Sequence, residues 1–312
     1  MKIYRFKESS DIKIAEDIVA CIGYFDGLHL GHQALIEKVK EIAIKKNTKR
    51  ALITFYPDPK DIITKKRHRH IQSFDDRLKI AQAMGIEIAI VFEFTEHLCL
   101  TSAEDFFEKI LGKLPLKGLV SGFDFHFGHK GKGDVETLKK LAKDRFEVDI
   151  VPEVLYEGEK ISSTRVRLAI ERGDIKLARA LLGYDYFDRG LVVHGKRNGH
   201  RLGFPTANLR LDEEILIPKN GVYIGYAVYD DKSYKAMINI GNNPTIASNN
   251  GLTYEVHILD FDKDIYDSEL IIYLNERIRD DKRFSSLEDL KKQLENDRKR
   301  AEEQDARIDF IL

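Results

Sequence analysis

The chain has 312 residues, 43% apolar and 33% charged, with a formal net charge of −1. That length is enough for two domains with real cores, and the composition excludes a disordered chain. The balanced charge gives no bulk reason to expect nucleic acid as a partner, no run nears the roughly eighteen apolar residues of a membrane span, and the first residues lack a signal-peptide core, so a cytoplasmic protein with no membrane partner is expected.

The first chemically informative stretch runs from Cys21 to His32. A short apolar run ends at Ile22 and breaks at Gly23 and Gly27, and Leu35, Ile36, Val39, Ile42 and Ala43 then recur at helical spacing. Strand, tight turn and helix are predicted. His29 and His32 fall at the start of that helix, where unpaired amide groups and the helix dipole favour an anion such as phosphate. Ten His and 21 Gly in random order would give on the order of 0.02 His-x-Gly-His matches, so the pattern is informative. Cys21 and Cys99 have no metal spacing, and Cys21 reads as a small strand hydrophobe in a reducing compartment.

A strand over 50–55 follows and ends in Tyr56-Pro57-Asp58-Pro59, an extended exit. The cationic run from Lys65 to His70 reads as a solvated loop or a phosphate contact. Ser73 to Asp76 has the spacing of a helix start, with Gly85 closing that helix. A strand over 87–92, a helix begun by Thr101-Ser102-Ala103-Glu104, a strand over 119–122, a helix over 135–143 and a strand over 146–151 continue the alternation. It predicts a mostly parallel sheet wrapped on both faces, with ligands at the carboxyl ends of the strands. One such end, Gly122 to Gly128, carries Phe123, Phe125 and Phe127, which either plug the core or line a pocket for a flat ligand. Neither a dinucleotide fingerprint nor a P-loop occurs. Ile161 to Arg167 places Ser162, Ser163, Thr164 and two arginines at a helix start, where the arginines oppose the dipole unless an anion sits there. Helices ending at Gly173 and Gly183 close the first domain, residues 1–183.

From residue 184 to 312 β-rich runs take over, over 190–194, 222–229, 234–240, 253–259 and 270–274, predicting a small antiparallel barrel or sandwich. A final helix starts at Ser286, with Leu287, Leu290 and Leu294 expected against the barrel. His194 to Asn208 contains Gly195, Gly199 and Gly203 beside cations, a loop suited to closing over phosphates. Pro205 fixes the backbone, so Thr206 and Asn208 project to one side as hard oxygen ligands of the kind Mg²⁺ takes; an edge strand with a Gly-rich turn is the equal alternative. Alternation over 254–259 separates Tyr254, Val256 and Ile258 from Glu255 and His257. Glu255 is either solvated or a general base.

His-x-Gly-His after a strand resembles the nucleotidyltransferase signature. With the Gly122–Gly128 loop, Ile161 to Arg167 and Gly203 to Asn208 in this order, the chain resembles the bacterial bifunctional riboflavin kinase/FMN adenylyltransferase family. The resemblance implies a Rossmann-like nucleotidyltransferase domain with a parallel sheet, followed by a six-stranded antiparallel riboflavin kinase barrel with a C-terminal helix. It implies riboflavin, FMN, FAD and ATP as substrates or products. ATP for adenylylation would meet Gly23, Phe25, Asp26, Gly27, His29, His32, Ser162, Ser163, Thr164 and Arg167. Flavin would meet Phe55, Pro57, Asp124, Phe125 and Phe127. In the kinase, Gly195, Gly199, Gly203, Pro205, Thr206 and Asn208 would bind nucleotide, Thr206 and Asn208 would hold Mg²⁺, and Glu255 would be the catalytic base. Two positions depart from the family pattern: Asp58 where histidine is expected and Gly131 where arginine is expected. Adenylyl or cytidylyl transfer to another phosphate ester, and an RNA-binding or flavin-sensing module, are the rival readings. The near-neutral charge, Glu255 and Asn208 argue against the second.

Overall fold

The computed structural model describes residues 1–195, 203–242, 252–282 and 284–304. Contacts divide the chain into two compact units, residues 1–163 and the chain from 164 on. In the first unit, β1 (Lys2–Phe6), β2 (Ile18–Ile22), β3 (Lys49–Tyr56), β4 (Ile88–Glu93), β5 (Leu116–Gly122) and β6 (Glu147–Val151) form one sheet in the order β1-β4-β3-β2-β5-β6, with every pairing parallel. β2 lies in the middle and is buried along its whole length. This explains its unbroken apolar sequence, because a parallel strand covered on both faces has no polar side to present.

Helices make the crossovers: α1 (Leu30–Lys46), α2 (Pro59–Thr64), α3 (Phe74–Ala83), α4 (Glu96–Leu100), α5 (Ala103–Lys109) and α6 (Val135–Ala142). Ile18, Ile22, Ile53, Phe92, Phe107 and Leu119 belong to the core beneath them. The expected starts form: the Ser73 hydroxyl accepts the Asp76 amide at 3.1 Å, and Ser102, one residue later than the spacing suggests, accepts that of Asp105 at 3.0 Å. A hairpin of β7 (Leu155–Tyr156) and β8 (Glu159–Lys160) follows β6.

The second unit begins with α7 (Ser163–Arg172, its first residue belonging to the first unit) and α8 (Ile175–Leu182). Their helical pattern assigns both to the first domain by sequence, but their contacts group them with the β-strands that follow. Lys219 donates its amide to the Ile170 carbonyl, and the Arg277 side chain fills the space above Gly173. β9 (Phe187–Val193), β10 (Ala207–Leu211), β11 (Gly221–Tyr229), β12 (Lys232–Asn242), β13 (Leu252–Ile258) and β14 (Glu269–Arg279) close a barrel in the order β10-β13-β12-β11-β14-β9. Tyr254, Val256 and Ile258 are buried as the alternation requires. At the core of this unit the Asp188 carboxylate accepts hydroxyl bonds from Tyr186 at 2.8 Å and Tyr254 at 2.9 Å.

α9 (Leu287–Glu303) starts at Ser286 as expected, but Leu287 is 72% exposed. Leu294 packs partly buried against the barrel as expected, and the buried residues beside it are Asp297 and Ala301, on the side of Phe204, Met237 and Leu259. Asp297 is tolerated there because Arg279 pairs with it at 2.8 Å and Gln293 donates to it at 2.9 Å. Sequence periodicity finds the helix but not how much of its first turn overhangs the barrel.

Candidate active sites

The first site grows from the exit of β2. Three residues in the turn take positive φ: Phe25 at 62°, Gly27 at 82° and Leu28 at 39°. A glycine carries the most extreme of these, and Phe25 and Leu28, both buried, accept the strained backbone because packing fixes their side chains. The sharp turn delivers His29 to the N-cap of α1, where its Nδ1 accepts the His32 amide at 3.4 Å. With Nδ1 accepting, the proton of the neutral ring lies on Nε2, which becomes the donor. The His29 and His32 rings stack at 3.8 Å, and the Phe25 ring meets His32 edge-on at 5.2 Å. Gly31 leaves room for this, since a Cβ there would lie 3.1 Å from the His29 ring.

Burial lowers the proton affinity of His29, to a pKa of about 4, against an opposing pull from Asp26. Burial, then the neighbouring His29, hold His32 well below the usual histidine value. Both imidazoles are therefore neutral near pH 7. The Nδ1 of His32 is buried with no hydrogen-bond partner. An orphaned imidazole nitrogen beside a helix start suits a site completed by a ligand.

Asp26 and Ser163 build this turn. The Asp26 carboxylate accepts the Ile71 amide at 3.0 Å, and the Ser163 hydroxyl donates to the Asp26 carbonyl at 2.7 Å. Ser162 and Ser163 end the first unit, whereas Thr164, exposed, and Arg167, half-buried, belong to the second. The three loop phenylalanines have different fates. Phe127 is buried against Phe106, Phe125 stacks on Phe127 at its edge, and Phe123 is exposed beneath the Lys160 ammonium, which is ion-paired with Asp124. Phe55 is buried in the sheet, and Pro57 follows Tyr56 through a cis peptide bond. Asp58 caps α2, accepting the Lys60 amide at 2.8 Å, and its other oxygen lies 3.6 Å from His70. Gly131 takes φ 64°, and its carbonyl meets the His126 ring at 3.1 Å.

The second site lies on the barrel. Asn208 on β10 pairs directly with Glu255 on β13, which pairs in turn with Asn239 on β12. Paired residues of antiparallel strands share a face, so two amides flank one carboxylate. The Thr206 hydroxyl donates to Glu255. Burial raises the proton affinity of Glu255, and the Asp281 carboxylate pushes the same way against the Thr206 bond. A Cβ on Gly195 would lie 2.1 Å from the Asn208 amide nitrogen, so glycine is required there for Asn208 to hold its place. Gly203 adopts φ 80°, and the Pro205 carbonyl accepts from His257 at 2.7 Å. Gly199 lies outside the described residues.

A cavity of about 460 Å³ adjoins Pro205 and Thr206, walled by Val192, Ala207, Val256, Ile258, Ile265 and Tyr266. A larger open groove, about 760 Å³, is lined by Asp17, Lys46, Lys117 and Glu147 at the amino ends of the strands, away from the histidine pair. Among the described residues no cluster of three or more His, Cys, Asp or Glu forms a metal cage. An oxygen set of hydroxyl, amide and one carboxylate still fits a cation that brings its own phosphates and waters, and the buried Asn239 amide oxygen has no partner.

Two family models match the chain in tandem: FAD synthetase over residues 11–165 and riboflavin kinase over 182–304. The bifunctional riboflavin kinase/FMN adenylyltransferase of Listeria monocytogenes is 38% identical, with 94% of this chain and 92% of that protein covered. The chain belongs to the bifunctional riboflavin kinase/FMN adenylyltransferase family. The member from Bacillus subtilis is 33% identical over 91% of each chain. A solved structure described as a macrolide-efflux protein from Streptococcus pneumoniae superposes with a TM-score of 0.90 at 34% identity, over 98% of this chain and all of that one. Among the described residues no helix is long and apolar enough to cross a membrane. The two family models meet the two sites in order, the histidine turn within the first and the Asn208–Glu255 row within the second.

Sequence reasoning overlooks Asn239, which becomes notable only once the strand register sets it opposite Glu255. It also overlooks Tyr24, His70 and Arg77, which meet behind the histidine turn from three separate segments. For these the sequence holds no periodic or spacing signal.

Proposed function

We propose that the chain makes FMN and then FAD at two separate sites, phosphorylating riboflavin on the barrel and adenylylating FMN at the histidine turn. The observation that carries this reading is the pairing of Asn208 with Glu255 across β10 and β13, a hydroxyl-activating row that shares no residue with the His29–His32 turn. One site has a carboxylate of raised proton affinity and the other has neutral donors, as the two reactions require.

On the barrel, Glu255 takes the proton of the riboflavin 5′-hydroxyl as its oxygen attacks the γ-phosphorus of ATP, and ADP leaves. Thr206 orients the carboxylate by its hydrogen bond, and Asn208 holds a phosphate oxygen. Thr206 and Asn208 would hold Mg²⁺, which supplies charge neutralisation of the phosphates when bound. Gly195 and Gly203, with Pro205, border the nucleotide. The cavity beside Thr206 accepts a flat ring.

At the histidine turn a phosphate oxygen of FMN attacks the α-phosphorus of a second ATP, the bond to the β-phosphate breaks, and pyrophosphate departs. An FMN phosphate is ionised near neutral pH, so no strong base is needed. His29 donates from Nε2, and with His32 and the first amides of α1 it stabilises charge on the α-phosphate. Gly23, Phe25, Asp26 and Gly27 shape the turn. Ser162 and Ser163 serve the β- and γ-phosphates, and Phe55, Pro57, Asp124, Phe125 and Phe127 border the flavin. By function the adenylyl-transfer half is taken to residue 183 and the kinase half from 184, although α7 and α8 pack with the strands of the second unit. Both cysteines are free thiols, which suits the cytoplasm.

Riboflavin with Mg-ATP, its products separated by chromatography, tests the reading. FMN appears first and FAD accumulates from it with release of pyrophosphate. Absence of either product from folded protein, or pyrophosphate release with pantetheine phosphate but not with FMN, refutes it.

A further inference from the structure

An arginine in the first turns of an amphipathic helix ordinarily carries its head to water. Arg77 on α3 does not, being 4% exposed. Its Nη1 donates to the Tyr24 carbonyl at 3.0 Å and its Nη2 to the Tyr24 hydroxyl at 3.1 Å. The guanidinium also lies over the Tyr24 ring, 4.3 Å from its centre, with Phe74 on another side at 5.2 Å. Its Nε has no hydrogen-bond partner, and no carboxylate lies within ion-pair reach of it among the described residues. The buried carboxylates of Asp26 and Asp58 act on the same Tyr24 side chain without reaching the guanidinium, and a buried cation held by a carbonyl, a hydroxyl and ring faces rather than by a direct ion pair is costly and persists where it serves something else.

What it adjoins is the phosphate turn. Tyr24 sits between Gly23 and Phe25, and the Phe25 ring contacts His32, which stacks on His29. The Tyr24 carbonyl also takes the Thr54 hydroxyl at 3.3 Å, and the Tyr24 hydroxyl lies 3.4 Å from the His70 ring. A shift of Tyr24 therefore passes through Phe25 to the stacked imidazoles. Arg77 is also close enough for its charge to act on His32.

We propose that Arg77 is a positioning residue for adenylyl transfer, gripping both polar groups of Tyr24 to fix the Gly23–His29 turn and setting a permanent positive charge behind His32. The proposal rests on the reading of the histidine turn as the adenylylation site. Arg77 touches no substrate. It acts through Tyr24 and Phe25 on the donors that do, and its charge adds to the field at the phosphate.

The test compares Arg77→Met and Arg77→Lys in the full chain, measuring FAD formation from FMN and Mg-ATP, with FMN formation from riboflavin in the same preparation as a fold control. Arg77→Met is expected to lower kcat for FAD by about 30–100-fold with KM for ATP within about threefold, as for donors misplaced by about 1 Å. Arg77→Lys keeps the charge and one contact to Tyr24, and should recover to about three- to tenfold below the parent. Tyr24→Phe removes only the hydroxyl, and combined with Arg77→Lys it should cost little more than Arg77→Lys alone. Parental kcat in folded Arg77→Met overturns the proposal, as does an equal loss in both Arg77 variants expressed through KM. If Arg77→Met does not fold, Arg77→Lys and Tyr24→Phe decide, and parental kcat in both overturns it. His29→Ala with His32→Ala is run alongside. Loss of FAD there with parental Arg77→Met rejects the Arg77 proposal alone, and retention of FAD there rejects the site reading beneath it.

Discussion

Replacing Gly195 by alanine should silence the kinase while leaving the fold and the other activity in place. A Cβ at 195 would lie 2.1 Å from Nδ2, 2.4 Å from Cγ and 2.7 Å from Oδ1 of Asn208. Ordinary contact begins near 3.4 Å, so the amide must retreat by about 1.3 Å. The obstructed atoms form the end of one side chain, so the substitution should cost stability less than about 1 kcal/mol. That same end is the group read as a phosphate and Mg²⁺ ligand, and displacement of a catalytic group by about 1 Å costs on the order of 10²-fold. The assay is FMN formation from riboflavin and Mg-ATP, with FAD formation from supplied FMN as the internal control. Gly195→Ala combined with Asn208→Ala should be no slower than Asn208→Ala alone, because the second substitution removes what the first obstructs. FMN formation within threefold of the parent, in protein of parental melting temperature, would refute the reasoning.

His29→Ala with His32→Ala should lower FAD formation by at least about 10²–10³-fold, the cost of one lost donor, with FMN formation unchanged. Glu255→Gln keeps the shape and removes the base, so FMN formation should fall by about 10²–10⁴-fold while FAD formation from supplied FMN persists; equal loss of both activities would sink the two-site reading. The depressed proton affinity of His29 fixes a sign for acid stability. The unfolded chain binds a proton below about pH 6.5, whereas the native ring resists it down to about pH 4. Stability linked to His29 is thus full above about pH 6.5 and is lost as pH falls through that window, by at most about 3 kcal/mol. An NMR titration of the free protein should place the His29 midpoint near the lower end, and a midpoint near 6.5 would contradict the burial argument.

The parts of this molecule legible from sequence are those whose signal is local. The strand, turn and helix from Ile18 to Lys46 show themselves because an apolar run, two glycines and a helical period follow one another without a gap. The Ser73 and Ser286 helix starts are visible for the same reason. What depends on register is not visible: nothing in the sequence says that Asn208, Glu255 and Asn239 stand in one row, since that follows from how three strands slide into a closed barrel. Composition also misleads where one residue type has several uses. Phe123, Phe125 and Phe127 read alike, yet one is exposed, one lies at the edge and one is core. Nothing in the sequence marks Asp297 or Arg77, which tertiary partners bury. α7 and α8 continue the helical pattern of the first unit while their contacts belong to the second.

The His32 amide donates to Nδ1 of His29. A proton arriving at Nδ1 would have to evict the amide that starts α1, so the ring can take up acid only by loosening its own helix. His29 therefore behaves less as an acid–base group than as a fixed donor, close in character to a backbone amide. Its contribution should be nearly constant across the neutral range, changing only when the helix start itself gives way.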